Sequence, residues 1–193
     1  SLHDALPIWL PRSQAPQYIF PMPADPDNDV TGLPPVVGGQ PVALFLGNAP
    51  SVLSLARQQY YGNPRNAFWP IMGSLLGFAA DAPYPQRTAA LVAAGHAVWD
   101  VLAFCRRTGS LDSAVERESM VVNDFETFFA TWPTIRRVYF TGGAAQINYR
   151  RLAFTPPEVE YVRLPSTSPA HAGRSVADKL AAWRVVAAAV AGD

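Results

Sequence analysis

Short apolar runs alternate with stretches of helical period along most of the chain. Val42 to Leu46 (VALFL) is a continuous apolar run closed by Gly47, the pattern of a strand buried on both faces. Ala97 to Ala103 (AVWDVLA), Arg137 to Thr141 (RVYFT) and Val159 to Leu164 (VEYVRL) predict three further strands. Between them lie helical segments. Asn66 to Leu76 follows Pro64, and Pro85 to Ala94 has proline near its start and Gly95 just past its end. Asn123, with Glu126 three positions on, predicts a helix start that Pro133 stops. Phe125, Phe128, Phe129 and Trp132 follow helical spacing there, as core residues do. Ser175 and Asp178 open a last helix whose apolar face is expected to hold Val176, Leu180, Trp183, Ala187 and Val190.

Strands alternating with helices imply an α/β fold in which helices cover both faces of a mainly parallel, four-stranded sheet, a three-layer α/β/α sandwich. One domain over residues 31–193 is expected. Ligands of such sheets sit beyond the carboxyl ends of the strands. That directs attention to Gly47-Asn48-Ala49-Pro50 after the first strand and to Leu164-Pro165-Ser166-Thr167-Ser168-Pro169 after the fourth. Residues 1–30 read differently. Ser1 to Ile8 is what one frame of a common sequencing-adapter end would encode, and Trp9 to Val30 is rich in Pro, Asp and Gln without periodicity. An unstructured, dispensable leader is the expectation for this segment.

Composition narrows the function classes. At 193 residues, 49% hydrophobic and 16% charged, the chain has the makings of a folded core. No apolar run approaches the ~18 residues of a membrane span. A single cysteine, Cys105, excludes an internal disulfide and a Cys-rich zinc site, and it fits a reducing, cytoplasmic setting. Residues 1–30 hold one of the 15 bases (Arg12) and four of the 15 acids, so the remainder carries a net charge of +3. Lys179 is the sole lysine, and the other cations are arginines, which fork onto phosphate. Charge alone therefore leaves nucleic-acid binding open. No clustered His, Asp and Glu set points to a metal, and neither metal nor cofactor is expected.

Three loops carry polar chemistry. The Gly47–Pro50 turn suits a tight backbone exposed to a ligand. The run Gln58-Gln59-Tyr60-Tyr61-Gly62-Asn63-Pro64-Arg65-Asn66-Ala67-Phe68-Trp69-Pro70-Ile71 mixes aromatics, amides and an arginine, as a pocket for a flat polar heterocycle requires. Ser166-Thr167-Ser168-Pro169-Ala170-His171 is rigid, polar and uncharged, as phosphate contact requires. Taken alone, each loop is first of all an ordinary turn.

Together and in this order, the loops resemble the uracil-DNA glycosylase superfamily, and within it the hypoxanthine-DNA glycosylase branch. The resemblance runs from about Gly32 to His171 and is most specific in Tyr60–Ile71, then in Leu164–Ala170. Val98-Trp99-Asp100-Val101-Leu102, Gly109-Ser110-Leu111-Asp112-Ser113 and Asn123-Asp124-Phe125 match between them. It implies hydrolysis of the N-glycosidic bond of a deaminated base: hypoxanthine first, uracil or xanthine next. The partner would be damaged DNA, and the protein would act as a monomer without a cofactor. Several branches place a water-orienting acid or amide in the first turn. Here that position is Ala49, whose methyl group cannot orient water. The resemblance moves this duty to Asn66; Asn48 is the backup only because it sits beside the turn. It assigns Gly47, Ala49, Pro50, Tyr61, Phe68 and Thr141 to the base, with Phe68 or Tyr61 stacking on it. Arg65, Ser166, Thr167, Ser168, Pro169 and Ala170 fall to the DNA backbone. Thr141 stands where an asparagine is expected, so altered base preference is implied. Ala49 and Thr141 also suit a non-catalytic DNA-binding relative. A different Rossmann-like nucleotide hydrolase is opposed by the absence of Gly-x-Gly-x-x-Gly and Walker loops.

Overall fold

The structure is a computed structural model that describes residues 28–190. Its strands are β1 (Asp29–Thr31), β2 (Ala43–Gly47), β3 (His96–Asp100), β4 (Leu102–Arg106), β5 (Val121–Val122), β6 (Arg137–Phe140) and β7 (Glu160–Arg163). Its α-helices are α1 (Val52–Arg57), α2 (Phe68–Leu76), α3 (Tyr84–Ala93), α4 (Phe125–Thr131), α5 (Gly143–Leu152) and α6 (Val176–Val190). Four strands form a parallel sheet in the order β3-β2-β6-β7. Among the described residues no helix is long and apolar enough to cross a membrane.

All five residues of β2 are buried, because side chains of a strand alternate between faces and both faces are covered. Leu44 and Leu46 pack with Phe125, Phe128 and Tyr149 from α4 and α5. Ala43 and Phe45 pack with Phe68, Met72, Leu91 and Trp183 from α2, α3 and α6. Phe45 stacks between Tyr139 and Trp183, with ring centroids 5.2 and 5.7 Å away. This is the expected three-layer arrangement.

Several local expectations are corrected. The run Ala97 to Ala103 is two strands. After β3 the backbone follows the exit turn of β2, with Val101 N donating to Gly47 O (2.8 Å) and Leu102 N to Asn48 O (3.0 Å). β4 then joins an antiparallel sheet of order β1-β4-β5. Val101, Leu102 and Cys105 stay buried throughout, so the apolar run shows no break where the chain changes sheets. The cap of α4 is Asp124, whose carboxylate accepts from Thr127 N at 3.0 Å. Asn123 instead donates from Nδ2 to Asp100 O at 2.8 Å, which fixes the end of β3. On α6 Val176 is 55% exposed, and Lys179, Trp183 and Val186 are the buried positions. The first turn of α6 is instead capped by the reciprocal Ser175–Asp178 hydrogen bonds at the surface. Ala187 is half-buried, and the side chain of Val190 lies outside the described residues.

The leader boundary also moves. Residues 1–27, with the adapter-like start, lie outside the described residues. Residues 29–31, expected at the leader's edge, are β1, with Val30 opposite Cys105 and 6% exposed in the core. Gly32 N continues the pairing to Ala103 O at 2.8 Å. Val30→Ala removes two methyl groups from this contact, at a cost of about 2 kcal/mol. A drop in melting temperature of roughly 5 °C is expected in a thermal melt. An unchanged melting temperature would mean that β1 contributes nothing to the domain.

Candidate active site

The carboxyl ends of β2, β3, β6 and β7 converge on a cavity of about 100 Å³. Gly47, Asn48, Ala49 and Pro50 line it from β2, Asp100 from β3, Thr141 from β6, and Ser166, Thr167 and Ser168 from the loop after β7. Tyr61 and Asn66 enter from the loop between α1 and α2. Sequence reasoning thus brought ten of its expected residues to one place. A wider groove of about 740 Å³ shares Ser166 with the cavity and is lined by Arg163, His171 and Arg174 among others.

The exit turn of β2 has no room for a side chain at its start. A Cβ on Gly47 would overlap the Asp100 carboxylate. Asn48 is 7% exposed and clamped on both ends of its amide: Nδ2 donates to Asp112 Oδ1, and Oδ1 accepts from Asn148 Nδ2, each at 2.8 Å. Beneath the turn, the buried Arg107 guanidinium donates to the carbonyls of Pro50 and Gly109. Buried polar groups keep their place only when bonded in this way, so the turn is held in one shape.

Asn66 is half-buried. Its Oδ1 accepts from Phe68 N at 2.9 Å, which both opens α2 and fixes the amide against the cavity. One oxygen lone pair and the two Nδ2 protons remain for other partners. Tyr61 has φ 54°, a left-handed conformation uncommon for a side chain of this size. Its hydroxyl donates to Thr141 Oγ1 at 3.1 Å, and Thr141 in turn donates to Leu46 O at 3.2 Å. Phe68 does not reach the cavity. It is fully buried and stacks on Tyr61 at 3.8 Å and 15°, so it backs the ring that does. Of the two stacking candidates, Tyr61 alone lines the wall.

The loop after β7 is tied inward. Ala67 N donates to Thr167 O at 3.0 Å, joining this loop to the one that carries Asn66. Thr167 is 2% exposed, so its hydroxyl belongs to the wall and not to the outer surface. Ser166 Oγ and Ser168 Oγ accept from Ser168 N and Ala170 N, each at 3.2 Å. Lys179 is buried, and its ammonium donates to His171 O at 2.9 Å, pinning the loop to α6. Pro169 is half-buried and Ala170 exposed at the outer end of the loop; Arg65 is exposed outside the cavity.

Asp100, Arg107, Asp112 and Asn148 were not assigned to the site from sequence. Asp100 did carry a signal, as an acid inside an otherwise apolar strand pattern, since acids are almost never buried unpaired. It is 4% exposed. Burial and the neighbouring Asp112 push its carboxyl up to about 7, against the opposing pull of Arg107.

An α/β/α domain with a polar, base-sized mouth at the carboxyl ends of its parallel strands is the architecture of the uracil-DNA glycosylase superfamily. It aligns, with a TM-score of 0.66 and 31% identity, with a Methanosarcina acetivorans protein solved by NMR and described as a candidate uracil DNA glycosylase. That alignment covers 82% of this chain and 98% of the other. Two relatives named hypoxanthine DNA glycosylase extend the likeness. One from Methanosarcina barkeri is 33% identical over 112 residues, 58% of this chain and 70% of the relative. One from M. acetivorans is 36% identical over 115 residues, 59% and 72% respectively. The chain belongs to the hypoxanthine DNA glycosylase family of that superfamily. No protein-family model matches it.

The Asp100 carboxyl rises from 3.8 in the reference state to about 7 in the fold. Its ionisation therefore costs stability as pH climbs through that window, with the full cost above about 7 and none below the reference value. Asp100→Asn is expected to raise the melting temperature by several degrees near about pH 8 and to leave it nearly unchanged near about pH 4. Thermal melts at the two pH values check this; equal shifts at both would contradict it.

Proposed function

We propose that this protein removes deaminated bases from DNA by hydrolysing the N-glycosidic bond, with hypoxanthine preferred and uracil or xanthine as further substrates. The relatives' names and the family's fold support the reaction class. The observation that carries the residue assignment is that Asn66 and Ala49 line the same cavity. The methyl group in the turn is thereby complemented by an amide from a different loop.

The target nucleotide has to leave the stack to reach such a site. In this reading its base lies against Tyr61, with Thr141 and the Gly47–Pro50 turn at its edges. Asn66 holds a water beside C1′ of the sugar. As the C1′–N bond lengthens, the sugar becomes oxocarbenium-like and the base takes the electron pair. The water oxygen bonds to C1′, and the proton it sheds neutralises the base. A neutral amide suits this step, because an electron-deficient sugar needs a placed water more than a strong base. Stabilisation of the departing anion by preorganised dipoles supplies much of the rate. The DNA backbone runs past Ser166, Ser168, Pro169 and Ala170, with Arg65 at the rim and the Arg163–Arg174 groove alongside. Thr167 supports that loop from within.

Asn66→Ala separates the two duties of this residue. Loss of its bond to Phe68 N costs ~1 kcal/mol of stability, a few degrees in melting temperature. Loss of the placed water slows single-turnover release of hypoxanthine from duplex DNA by on the order of 10²-fold or more. A folded variant that releases base at the parental rate would remove Asn66 from the chemistry and transfer the test to Asn48.

A further inference from the structure

The carboxyl of Asp100 is the buried acid of the site that no described bond explains. It lines the cavity, it lies against Gly47 Cα, and its Oδ2 is buried without a hydrogen-bond partner among the described residues. Among the described residues no neighbouring donor bonds it and no cation forms an ion pair with it. Tyr61 donates to Thr141, Asn123 donates to the backbone carbonyl of Asp100, and Arg107 gives Nε and Nη2 to the carbonyls of Gly109 and Pro50 while its Nη1 bonds neither Asp100 nor any other described group. An ionised carboxylate held there would be buried and unpaired, the costliest state such a group can adopt. A carboxylic acid in the same place carries a proton with no internal acceptor. It is a donor waiting for a partner that enters the cavity.

We infer that Asp100 acts as a neutral acid whose hydroxyl donates a hydrogen bond to the base as it departs. This role rests on the proposed base-release reaction and adds the group that receives the leaving charge. The electron pair of the broken C1′–N bond spreads over the base, onto the lactam oxygen and ring nitrogens of hypoxanthine. A hydrogen bond to any of these atoms strengthens as the negative charge grows, so it lowers the barrier more than it tightens binding. The proton on Asp100 stays in that hydrogen bond. The proton released by the attacking water is the one the base finally takes, and Asp100 ends as it began. The groups facing it set its titration. Asp112 and burial favour the acid, and Arg107, from the segment after β4, favours the anion. Tyr60 and Tyr61 from the loop after α1 and Cys105 of β4 are neutral neighbours, each held in the protonated form by burial. Together they place the change from acid to anion near neutrality, at about 7.

The test is single-turnover release of hypoxanthine from duplex DNA across the neutral pH range, with the parental protein, Asp100→Asn and Asp100→Ala. DNA affinity and melting temperature are measured in parallel. The parental rate is expected to fall as pH rises through about 7, where the donor is lost. Asp100→Asn keeps an N–H donor and should lose that alkaline fall. Asp100→Ala should be slower by on the order of 10²-fold at mildly acid pH, with DNA affinity changed only a few-fold. Should Asp100→Ala fail to fold, two results decide the matter: the profile of Asp100→Asn, and an infrared band of a protonated carboxyl that is present in the parental protein at neutral pH and missing from that variant. An Asp100→Asn variant with the parental alkaline fall, a folded Asp100→Ala at the parental rate, or no protonated band would each overturn the role. A parental protein that released no base would overturn the reaction itself, whereas an active one insensitive to these variants overturns Asp100 alone.

Discussion

The close approach of Gly47 to the Asp100 carboxyl is the constraint on which the site depends. It exists because β2 is buried on both faces and paired on both edges, by β3 and β6. A strand held in this way can leave the sheet only at its carboxyl end, and Gly47 lets it turn there without a side chain in the way. The neighbouring strand follows the same turn, through the bonds of Val101 and Leu102 to Gly47 and Asn48. The strand ends and the acid between them thus form one rigid unit. A site fixed to sheet ends in this manner is better ordered than one built from loops alone.

Around that unit lies a polar shell that a core of this kind tolerates only because nearly every member is bonded. Asn48 is held between Asp112 and Asn148, 64 and 100 positions further along the chain. Arg107 and Lys179 cap backbone carbonyls in place of acids, so each brings a cation into the interior without an ion-pair partner among the described residues. These bonds fix the two loops that meet at Ala67 and Thr167. Asp100 Oδ2 and Arg107 Nη1 are the members left without a partner among the described residues, and of these Asp100 lines the cavity, where a ligand could complete the network.

The sheet was legible because its strands are continuous apolar runs, and the positions of the polar loops follow from where those runs stop. Elements without such a signature were not legible. Strand β1 is three residues long with one buried side chain, and α5 (GAAQINYRRL) has a weak apolar stripe that places Asn148 as well as Tyr149 inward. Asn123 and Asp124 are equally good caps on sequence grounds, and the end of β3 decides between them. Phe68 and Tyr61 are likewise equivalent as stacking rings until the fold buries one beneath the other. Asp100 sat inside a strand pattern, where periodicity reads burial well and chemistry poorly. The motif resemblance supplied the reaction class, which neither charge nor composition could do at a formal net charge of zero.

The central claim is that this cavity releases deaminated bases while Ala49 occupies the usual water-orienting position. It is tested most directly by incubating the parental protein with matched duplexes containing hypoxanthine, uracil, xanthine or no lesion, and counting abasic sites under single-turnover conditions. The account predicts abasic sites in the hypoxanthine duplex first, slower release from the other two lesions and none from the intact duplex. Tight binding to the hypoxanthine duplex without abasic sites would contradict it and leave the protein a reader of damage, not a remover.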